Sequence, residues 1–282
     1  MAHGTRFGGI NKAVVAGFTR TSGVNKKITN GLAMVNGVKM DITFGPQIEL
    51  SPAFADNTWE QIIAACQEKR IPDTWNVGDS KTMTINGTSY PIIIIGKNHD
   101  VYSDGSGTAP LTFRMNECYH QLYTMHGSLG YAQGWPSSDM RLGYLPALLT
   151  KMPAVVQSSI REVNKETTNG KGAAEKVTVS DKLFLLSESE MTGARSIYQN
   201  VAVGLEGSKY EYFLDSSYYN VAMMESRSKS YWLRTAADFS DAFRTWSCAS
   251  SRFNLASAYP NPTYYEGNYP VDGYHIAPAF CF

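Results

Sequence analysis

The sequence predicts an α+β fold of small antiparallel sheets, short helices and long loops, preceded by a small N-terminal β module. Residues 81–85 and 90–95 are two strand-like apolar runs around an Asn86-Gly87 turn, which is typical of a β-hairpin. Residues 59–66 carry apolar side chains at helical spacing, which predicts a short amphipathic helix. Stretches rich in glycine, asparagine and proline separate such segments and are typical of loops.

The overall composition excludes several classes of protein. The chain has 282 residues, of which 43% are apolar, with 25 basic and 25 acidic side chains. Because the net charge is zero, no overall basic field draws the chain onto nucleic acid or anionic lipid. No run approaches the roughly 18 apolar residues of a membrane span, and no uninterrupted apolar segment near the N-terminus resembles a signal peptide. We therefore expect cytoplasmic synthesis, no nucleic-acid partner and no membrane span.

Charge separates the first part of the chain from the rest. Residues 1–45 contain six basic side chains and one acidic one, a net charge of +5, so the remainder carries −5. Residues 23–28 and 37–42 share a G-V-x-x-x-I pattern, which predicts two short strands entered through Asn-Gly turns at 30–31 and 36–37. A two-stranded ribbon is marginally stable in water, so we expect this module to oligomerise or to attach to another protein. A flexible basic arm is the alternative.

The rest of the chain is predicted to be a linker followed by one domain. Pro46 and Pro52 flank the linker, and Asp56 or Asn57 is the expected N-cap of the first helix. We therefore place a β-hairpin attachment or oligomerisation module over residues 1–45, a linker over 46–56 and a ligand-binding domain over 57–282. Inside the domain, the pattern predicts complete or partial helices over 111–122 and 140–152, a surface loop over 164–172 and an apolar strand over 182–186.

The last fifty residues have the composition of a binding surface. Residues 231–282 contain 13 of the 34 aromatic residues, mixed with Ser, Ala, Asn and Gly, and Lys, Gln and Met are absent from them. Rigid aromatic rings with small polar residues are typical of antibody paratopes. The alternative is a loop-rich core, which we accept for Trp232, Leu233, Ile276 and Phe280. We expect solvent exposure for Tyr259, Tyr264, Tyr265 and Tyr269.

Few groups of polar residues in the sequence are typical of catalysis or metal binding. His99 and Asp100 are adjacent, which is more often a hydrogen-bonding arrangement in a loop than a catalytic pair. Asp100 and Asp104 lack the D-x-D-x-D-G order and closing Glu of a calcium loop, which leaves a structural calcium there as an open question. His120 and His126 are six residues apart, which does not suit two zinc ligands on one helical face. We predict no cofactor, no metal and no catalytic residue.

A series of short motifs resembles a family of domains of unknown function that is common in phage and prophage proteins of gut bacteria. The motifs lie at residues 59–63, 75–79, 94–100, 134–141, 181–188, 231–235 and 276–282. The resemblance implies a C-type-lectin-like fold, and the N-terminal hairpins likewise resemble the opening modules of phage minor tail proteins. It further implies a non-enzymatic display protein of a phage or prophage particle, made in the bacterial cytoplasm and placed at a tail tip. The implied partners are a cell-surface protein or glycan, other tail proteins through the N-terminal module, and copies of the chain itself, a trimer by analogy.

Some members of this fold class are the variable proteins of diversity-generating retroelements, in which template adenines are randomised. Such mutation of AAY codons never produces Lys, Glu, Gln, Met or Trp, and between residues 235 and 274 only Trp246 and Glu266 lie outside the reachable set. The resemblance implies these variable, ligand-binding candidates: Asp238, Phe239, Ser240, Asp241, Phe243, Arg244, Ser247, Ala249, Ser251, Arg252, Asn254, Ser257, Tyr259, Asn261, Tyr264, Tyr265, Asn268 and Tyr269. A rigid framework would support them, formed by Trp59, Trp75, Phe184, Trp232 and Phe280, with Arg141 and Arg234 as buried or half-buried loop anchors.

An enzymatic function is the alternative that the same fold class offers. The lectin-like fold is also used by formylglycine-generating and related sulfur-oxidising enzymes, which work through C-terminal cysteines. Cys248 and Cys281 are the candidates in this sequence. Such a site needs accessible, activated thiols, whereas Cys281 lies between two phenylalanines and is expected to be buried. We therefore predict a protein that is not an enzyme.

Overall fold

The structure is a computed structural model that describes most of the chain after residue 47. It describes residues 17–21, 24–28, 30–35, 38–43, 48–127, 134–168, 176–193, 205–214, 231–236, 243–246, 265–268 and 273–282. Before residue 48, and over 243–246 and 265–268, the description covers the backbone. The chain divides into two compact units, Met1–Glu49 and Leu50–Phe282. No helix among the described residues has both the length and the apolar character needed to cross a membrane.

The first unit contains two antiparallel hairpins. Strand β1 (Gly17–Thr21) pairs with β2 (Val24–Ile28), and β3 (Asn30–Val35) pairs with β4 (Val38–Thr43). The two predicted strands correspond to β2 and β4. The predicted turn at 30–31 is wrong, because these residues begin β3 and pair with the end of β4. An Asn-Gly pair forms a hairpin turn only where its flanking residues pair with each other, as those beside 36–37 do.

The second unit is a mixed α and β structure of small antiparallel sheets and short helices. Its helices are α1 (Trp59–Gln67), α2 (Leu145–Leu149), α3 (Ala154–Ser159) and α4 (Glu188–Thr192). Its strands are β5 (Ser80–Ile85), β6 (Thr88–Lys97), β7 (Leu111–Met115), β8 (Val163–Thr168), β9 (Lys176–Asp181), β10 (Tyr231–Ala236), β11 (Phe243–Trp246), β12 (Tyr265–Asn268) and β13 (Ala279–Cys281). Short 3-10 helices occur at Phe54–Asp56, Trp135–Ser137 and Glu211–Phe213, and a π-helix spans Met140–Tyr144. The coarse fold prediction is therefore confirmed.

The central sheet has the strand order β13-β7-β6-β5, and all its pairs are antiparallel. The hairpin of β5 and β6 confirms the predicted turn: Asn86 and Gly87 have φ angles of 49° and 80°. Positive φ at both central positions is typical of a type I′ turn, whose twist matches that of the strands.

Strand β7 corrects the prediction of a helix over 111–122. It lies between β6 and β13, and each of its five residues is buried. A strand buried on both faces has no alternating pattern, so its apolar run resembles that of a buried helix. The helical prediction for 140–152 is confirmed in part, since the π-helix continues directly into α2.

Helix α1 begins at Trp59, where the predicted helical pattern starts, but its N-cap lies one residue after Asn57 and two after Asp56. Thr58 is its N-cap: the Thr58 side chain accepts from the Gln61 backbone N–H, and the Thr58 N–H donates to the Gln61 side chain. The predicted caps, Asp56 and Asn57, are wrong. Asn57 is instead buried, and its side-chain amide donates to three backbone carbonyls in residues 51–54.

One face of the central sheet packs against aromatic residues that precede and include α1. Phe54 is 2% exposed, and its ring centroid lies 5.2 Å from that of Trp75 and 6.1 Å from that of Phe113. Phe54 falls in the predicted linker 46–56, but it belongs to the core of the second unit. Phe280 lies 5.6 Å from Phe113 on the same face. Trp75, Phe184, Trp232 and Phe280 are buried, as the predicted framework requires, and Trp59 packs against this core while partly buried.

The opposite face of the central sheet is partly polar. Side chains alternate along a strand, so Thr112 and Arg114 of β7 lie on the face opposite Phe113. Cys281 of β13 pairs with Thr112 and lies on the same face, with 3.5 Å between Sγ and Oγ1.

Two more predictions about the second unit need correction. Residues 164–168 were predicted to be in a surface loop but belong to β8, which pairs with β9. Lys165 and Thr167 of β8 are buried. Residues 182–186 were predicted to form a strand, but there a single bridge joins Phe184 to Ala279.

Candidate functional site

Part of the predicted binding surface lies on a three-stranded antiparallel sheet in the order β10-β11-β12. Four candidates, Phe243, Arg244, Tyr265 and Asn268, lie on β11 and β12, where Phe243 pairs with Asn268. The sheet therefore brings together two segments of the candidate region. The other candidates lie outside the described residues: Asp238, Phe239, Ser240, Asp241, Ser247, Ala249, Ser251, Arg252, Asn254, Ser257, Tyr259, Asn261, Tyr264 and Tyr269.

Strand β10 connects this sheet to the core of the second unit. Its first five residues are buried. The Trp232 N–H donates to the His275 carbonyl at 2.9 Å, and its indole N–H donates to the Tyr123 carbonyl at 2.7 Å. The Arg234 N–H donates to the Leu186 carbonyl at 3.1 Å. β10 is thus held along its length by bonds to distant parts of the chain.

The Arg234 guanidinium is fully buried and satisfies its donors on several elements. Nη1 donates to the Glu190 carboxylate of α4 and, at 2.9 Å, to the Leu185 carbonyl. Nη2 donates to the Glu206 carbonyl at 2.8 Å and to the Glu166 carbonyl of β8 at 3.2 Å. Arg234 therefore ties β10 to β8 and α4. Its predicted role as a buried anchor is confirmed, although it lies on a strand rather than in a loop.

A second buried cation continues the network. Lys165 of β8 donates to Asp100, to Glu190 at 3.1 Å and to the Tyr210 hydroxyl at 2.7 Å. Asp100 also accepts from the hydroxyls of Thr112 and Tyr210, the latter at 2.9 Å. Two cations and two carboxylates therefore balance each other in the interior. We call Asp100, Lys165, Glu190, Tyr210 and Arg234 the buried ion network.

Burial and the neighbouring charges shift the pKa values of three groups in the buried ion network. Burial alone would raise the pKa of the Glu190 carboxyl, but Arg234 and Lys165 outweigh burial and lower it. The same competition, with Lys165 as the main opposing charge, lowers the pKa of Asp100. Burial and the charge of Asp100 raise the pKa of the Tyr210 hydroxyl well above its usual value. Both carboxyls are therefore held ionised, and Tyr210 is held neutral.

Glu206 is a buried carboxyl beside the network with a different environment. It accepts from the Thr168 N–H at 2.7 Å, the Thr235 hydroxyl at 2.6 Å and the Thr167 hydroxyl at 3.2 Å. Arg234 bonds to the backbone carbonyl of this residue. Burial raises the pKa of the Glu206 carboxyl, and the opposing charge of Arg234 does not outweigh it. Through Thr235, Glu206 adds a second tie between β10 and β8.

Comparison with known families places the chain among domains of unknown function. A family model described as a domain of unknown function, DUF6273, matches residues 112–282, which is more than half of the 282-residue chain. The chain belongs to the DUF6273 family. Neither the curated proteins nor the solved structures include a significant match to the chain.

The DUF6273 match contains most of the buried ion network and all of the candidate binding residues. It begins on β7 and includes Lys165, Glu190, Tyr210 and Arg234. Asp100 lies before it, so the network joins the DUF6273 part of the chain to the residues that precede it.

The buried ion network has perturbed pKa values, which are frequent in active sites. Its members are nevertheless all buried, at most 4% exposed, and each is bonded to the others or to the backbone. A catalytic group must reach its substrate, whereas these groups are closed off by their neighbours. The arrangement is therefore suited to holding β8, β10 and α4 together.

Two cysteines in the described part of the chain, Cys66 and Cys281, are also poorly suited to thiol chemistry. Cys281 is buried, and burial together with the charge of Asp100 raises the pKa of its thiol well above the usual value. Burial raises the pKa of the Cys66 thiol to about 12. A nucleophilic cysteine needs the thiolate, which both environments disfavour. Cys248, the other cysteine candidate, lies outside the described residues.

The histidines and aspartates considered as ligands have other partners. His99 stacks on Tyr210, with 3.9 Å between ring centroids, and burial lowers its pKa. Asp104 is paired with Arg161, and Asp100 with Lys165. In the described ranges, no three His, Cys, Asp or Glu residues are grouped to hold a metal ion.

Two further polar groups bear on the sequence predictions. The His120 Nδ1 lies 2.6 Å from the Tyr90 hydroxyl, so it takes part in a local hydrogen bond. Arg141 is half-buried, as predicted, and its Nε donates to Asp181 at 2.6 Å, but it lies on the π-helix rather than in a loop.

Sequence reasoning missed the centre of the network. Val163, Lys165 and Thr167 alternate with exposed residues along β8, so a period of two was present in the sequence. Because most residues of the segment are polar, this alternation did not stand out as a strand pattern. Glu190 had a local signal as well, because it forms a capping box with Ser187 at the start of α4.

Proposed function

We propose that this chain is a non-enzymatic ligand-binding or display protein of a phage or prophage particle, in a tail-tip or receptor-binding role. Its C-terminal surface binds a cell-surface protein or glycan. The observation that carries the proposal is the buried anchoring of β10 by Arg234 and Thr235. A binding surface made of variable residues needs a rigid support that does not depend on those residues.

The framework and the candidate surface use separate residues. Among the described residues, none of the groups that bond Arg234, Lys165 or Glu206 is a variable candidate. Substitution at the candidates therefore leaves the anchoring bonds of β10 in place. In this proposal the domain has a C-type-lectin-like fold and its late residues are diversified by a retroelement, which agrees with their near-complete restriction to the reachable codons.

Several copies would act together on one target surface. The N-terminal hairpins are small, and such ribbons gain stability by packing against another chain. We propose that this module attaches the chain to other tail proteins and forms a homo-oligomer, in which weak single contacts become strong through avidity.

A cell-binding assay tests the proposal. The labelled full chain is incubated with a panel of intact gut bacterial cells, and the bound fraction is measured by flow cytometry. We expect Tyr264→Ala with Tyr269→Ala to lower binding about tenfold or more, as loss of aromatic contacts does in interfaces. Leu214→Ala is the control, since Leu214 is an exposed apolar residue outside the candidate set. Equal binding by the double variant, or binding to no cell type, contradicts the proposal.

Two further measurements test the proposed diversification and the enzymatic alternative: the sequence of the surrounding DNA and the reactivity of the thiols. A nearby template repeat that differs from the coding region only at adenines supports diversification, and differences at other bases contradict it. Fast reaction of two cysteines in the native chain with a thiol reagent would instead support the sulfur-oxidising alternative.

A further inference from the structure

Arg114 is a buried cation that the network does not include. It lies in the middle of β7, between Ile93 of β6 and Ala279 of β13. Its exposed fraction is 0%. Because neighbouring strands flank it on both sides, its backbone is fixed and its side chain leaves the sheet on the Thr112 face.

The guanidinium of Arg114 lacks hydrogen-bond acceptors in the described part of the chain. None lies within bonding distance of its Nε, Nη1 or Nη2. The guanidinium lies over the ring of Tyr231, 5.2 Å from Cζ to the ring centroid. A guanidinium stacked on a ring uses one of its faces for this contact, so the N–H donors at its edge are still available for hydrogen bonds.

The other arginines after residue 50 whose side chains the structure describes show that this is exceptional. Arg70, Arg141, Arg161 and Arg234 are each paired with a carboxylate. Buried charged groups are almost always paired, since an uncompensated charge in the interior is strongly unfavourable. Among the described residues, Arg114 is thus a fully buried guanidinium without a counter-charge.

We propose that Arg114 binds the carboxylate group of a small ligand. The planar guanidinium presents parallel N–H donors that match the two oxygens of a carboxylate. Because 0% exposure leaves little room beside the side chain, formate and acetate, the smallest carboxylates, are the probes of choice. Tyr231 is the first residue of β10, so the bound carboxylate would lie near the start of that strand. This site does not depend on the proposed display function.

The test is the thermal stability of the full chain with formate as the probe. Formate replaces a bulky sulfonate at constant ionic strength, and Tm is followed by circular dichroism. A ligand that binds only the folded chain raises Tm with a saturable dependence on its concentration, by several degrees at about 100 Kd. We expect this rise for the wild type and its loss in Arg114→Met.

Arg161→Met is the matched control. Arg161 also lies over a tyrosine ring, 3.6 Å from Cζ to the Tyr102 centroid, but it has Asp104 as its partner. We expect the formate effect to persist in this variant. Equal formate effects in Arg114→Met and the wild type, or no saturable effect in the wild type, overturn the proposal.

A measurement on the unmodified chain covers the case in which Arg114→Met does not fold. The ¹³C resonance of labelled formate broadens when it exchanges with a protein site, and acetate should compete and narrow it again. Broadening that acetate reverses supports the site. A resonance that stays narrow at every protein concentration overturns it.

Discussion

Replacing Arg234 with methionine tests the anchoring of β10 most directly. Methionine keeps an apolar stem in the core but removes every donor of the guanidinium. Glu190 is then left with Lys165, 3.1 Å away, as its ion-pair partner among the described residues. The carbonyls of Leu185 and Glu206 lose their bonds from Arg234 as well.

The expected loss of stability is large. Removing one partner of a buried ion pair costs about 3–5 kcal/mol, because the other charge remains buried. The unpaired carbonyls contribute to this loss, at about 1 kcal/mol for each bond. Domains unfold with about 5–15 kcal/mol in total, so Arg234→Met should lose a third or more of its stability.

Urea denaturation at pH 7 measures this effect, with the free energy of unfolding taken by linear extrapolation. Arg161→Met is the control, because its side chain is 35% exposed and that of its partner Asp104 is 59% exposed. Exposed ion pairs contribute about 0–1 kcal/mol, so the control should change little. A loss below about 1 kcal/mol in Arg234→Met would refute the anchoring argument.

Three other predictions concern stability, and each is checked by urea denaturation. The pKa values of Asp100 and Glu190 are lowered, so their contribution is present above the ordinary values of 3.8 and 4.5 and is lost as pH falls through the folded values. The effect of Glu206 on stability has the opposite pH dependence. Its pKa is raised, so its contribution to stability is complete below pH 4.5 and is lost as pH rises through the pKa of the folded state. Glu206→Gln should remove that decline, and an unchanged profile would contradict the assignment. Gly87→Ala should destabilise by about 1 kcal/mol because φ is +80° there, although a Cβ meets no atom within 4 Å. Gly143→Ala, in equally open space without a positive φ, should not destabilise, and equal losses in the two variants would exclude backbone strain as the cause.

The parts of the fold that were predictable depend on local chemistry. The β5–β6 hairpin follows from Asn86-Gly87, since these residues adopt positive φ more readily than others. The burial of Trp75 and Phe280 follows from their size and apolar character. Both inferences can be made without knowing which distant segments of the chain pack against these residues.

The parts that failed depend on contacts between distant segments. Lys165 lies in a polar stretch and is buried only because Asp100 and Glu190, 65 and 25 residues away, meet it in the interior. All five residues of β7 are buried, so its sequence lacks the alternation of a half-buried strand and resembles that of a buried helix. The candidate surface itself was inferred from composition and resemblance, and most of its residues lie outside the described part of the chain.

The buried ion network determines the position of β10 more narrowly than an apolar layer would. Apolar side chains of suitable volume pack in several arrangements of similar free energy. Arg234, by contrast, satisfies its donors only where acceptors from β8 and α4 converge. A slip of one residue would exchange the two faces of β10 and leave Glu190 without this cation. Since β11 pairs with β10, and β12 with β11, the same slip would displace every described strand of the candidate surface. The placement of β11 and β12 is thus set by described residues that are not among the variable candidates.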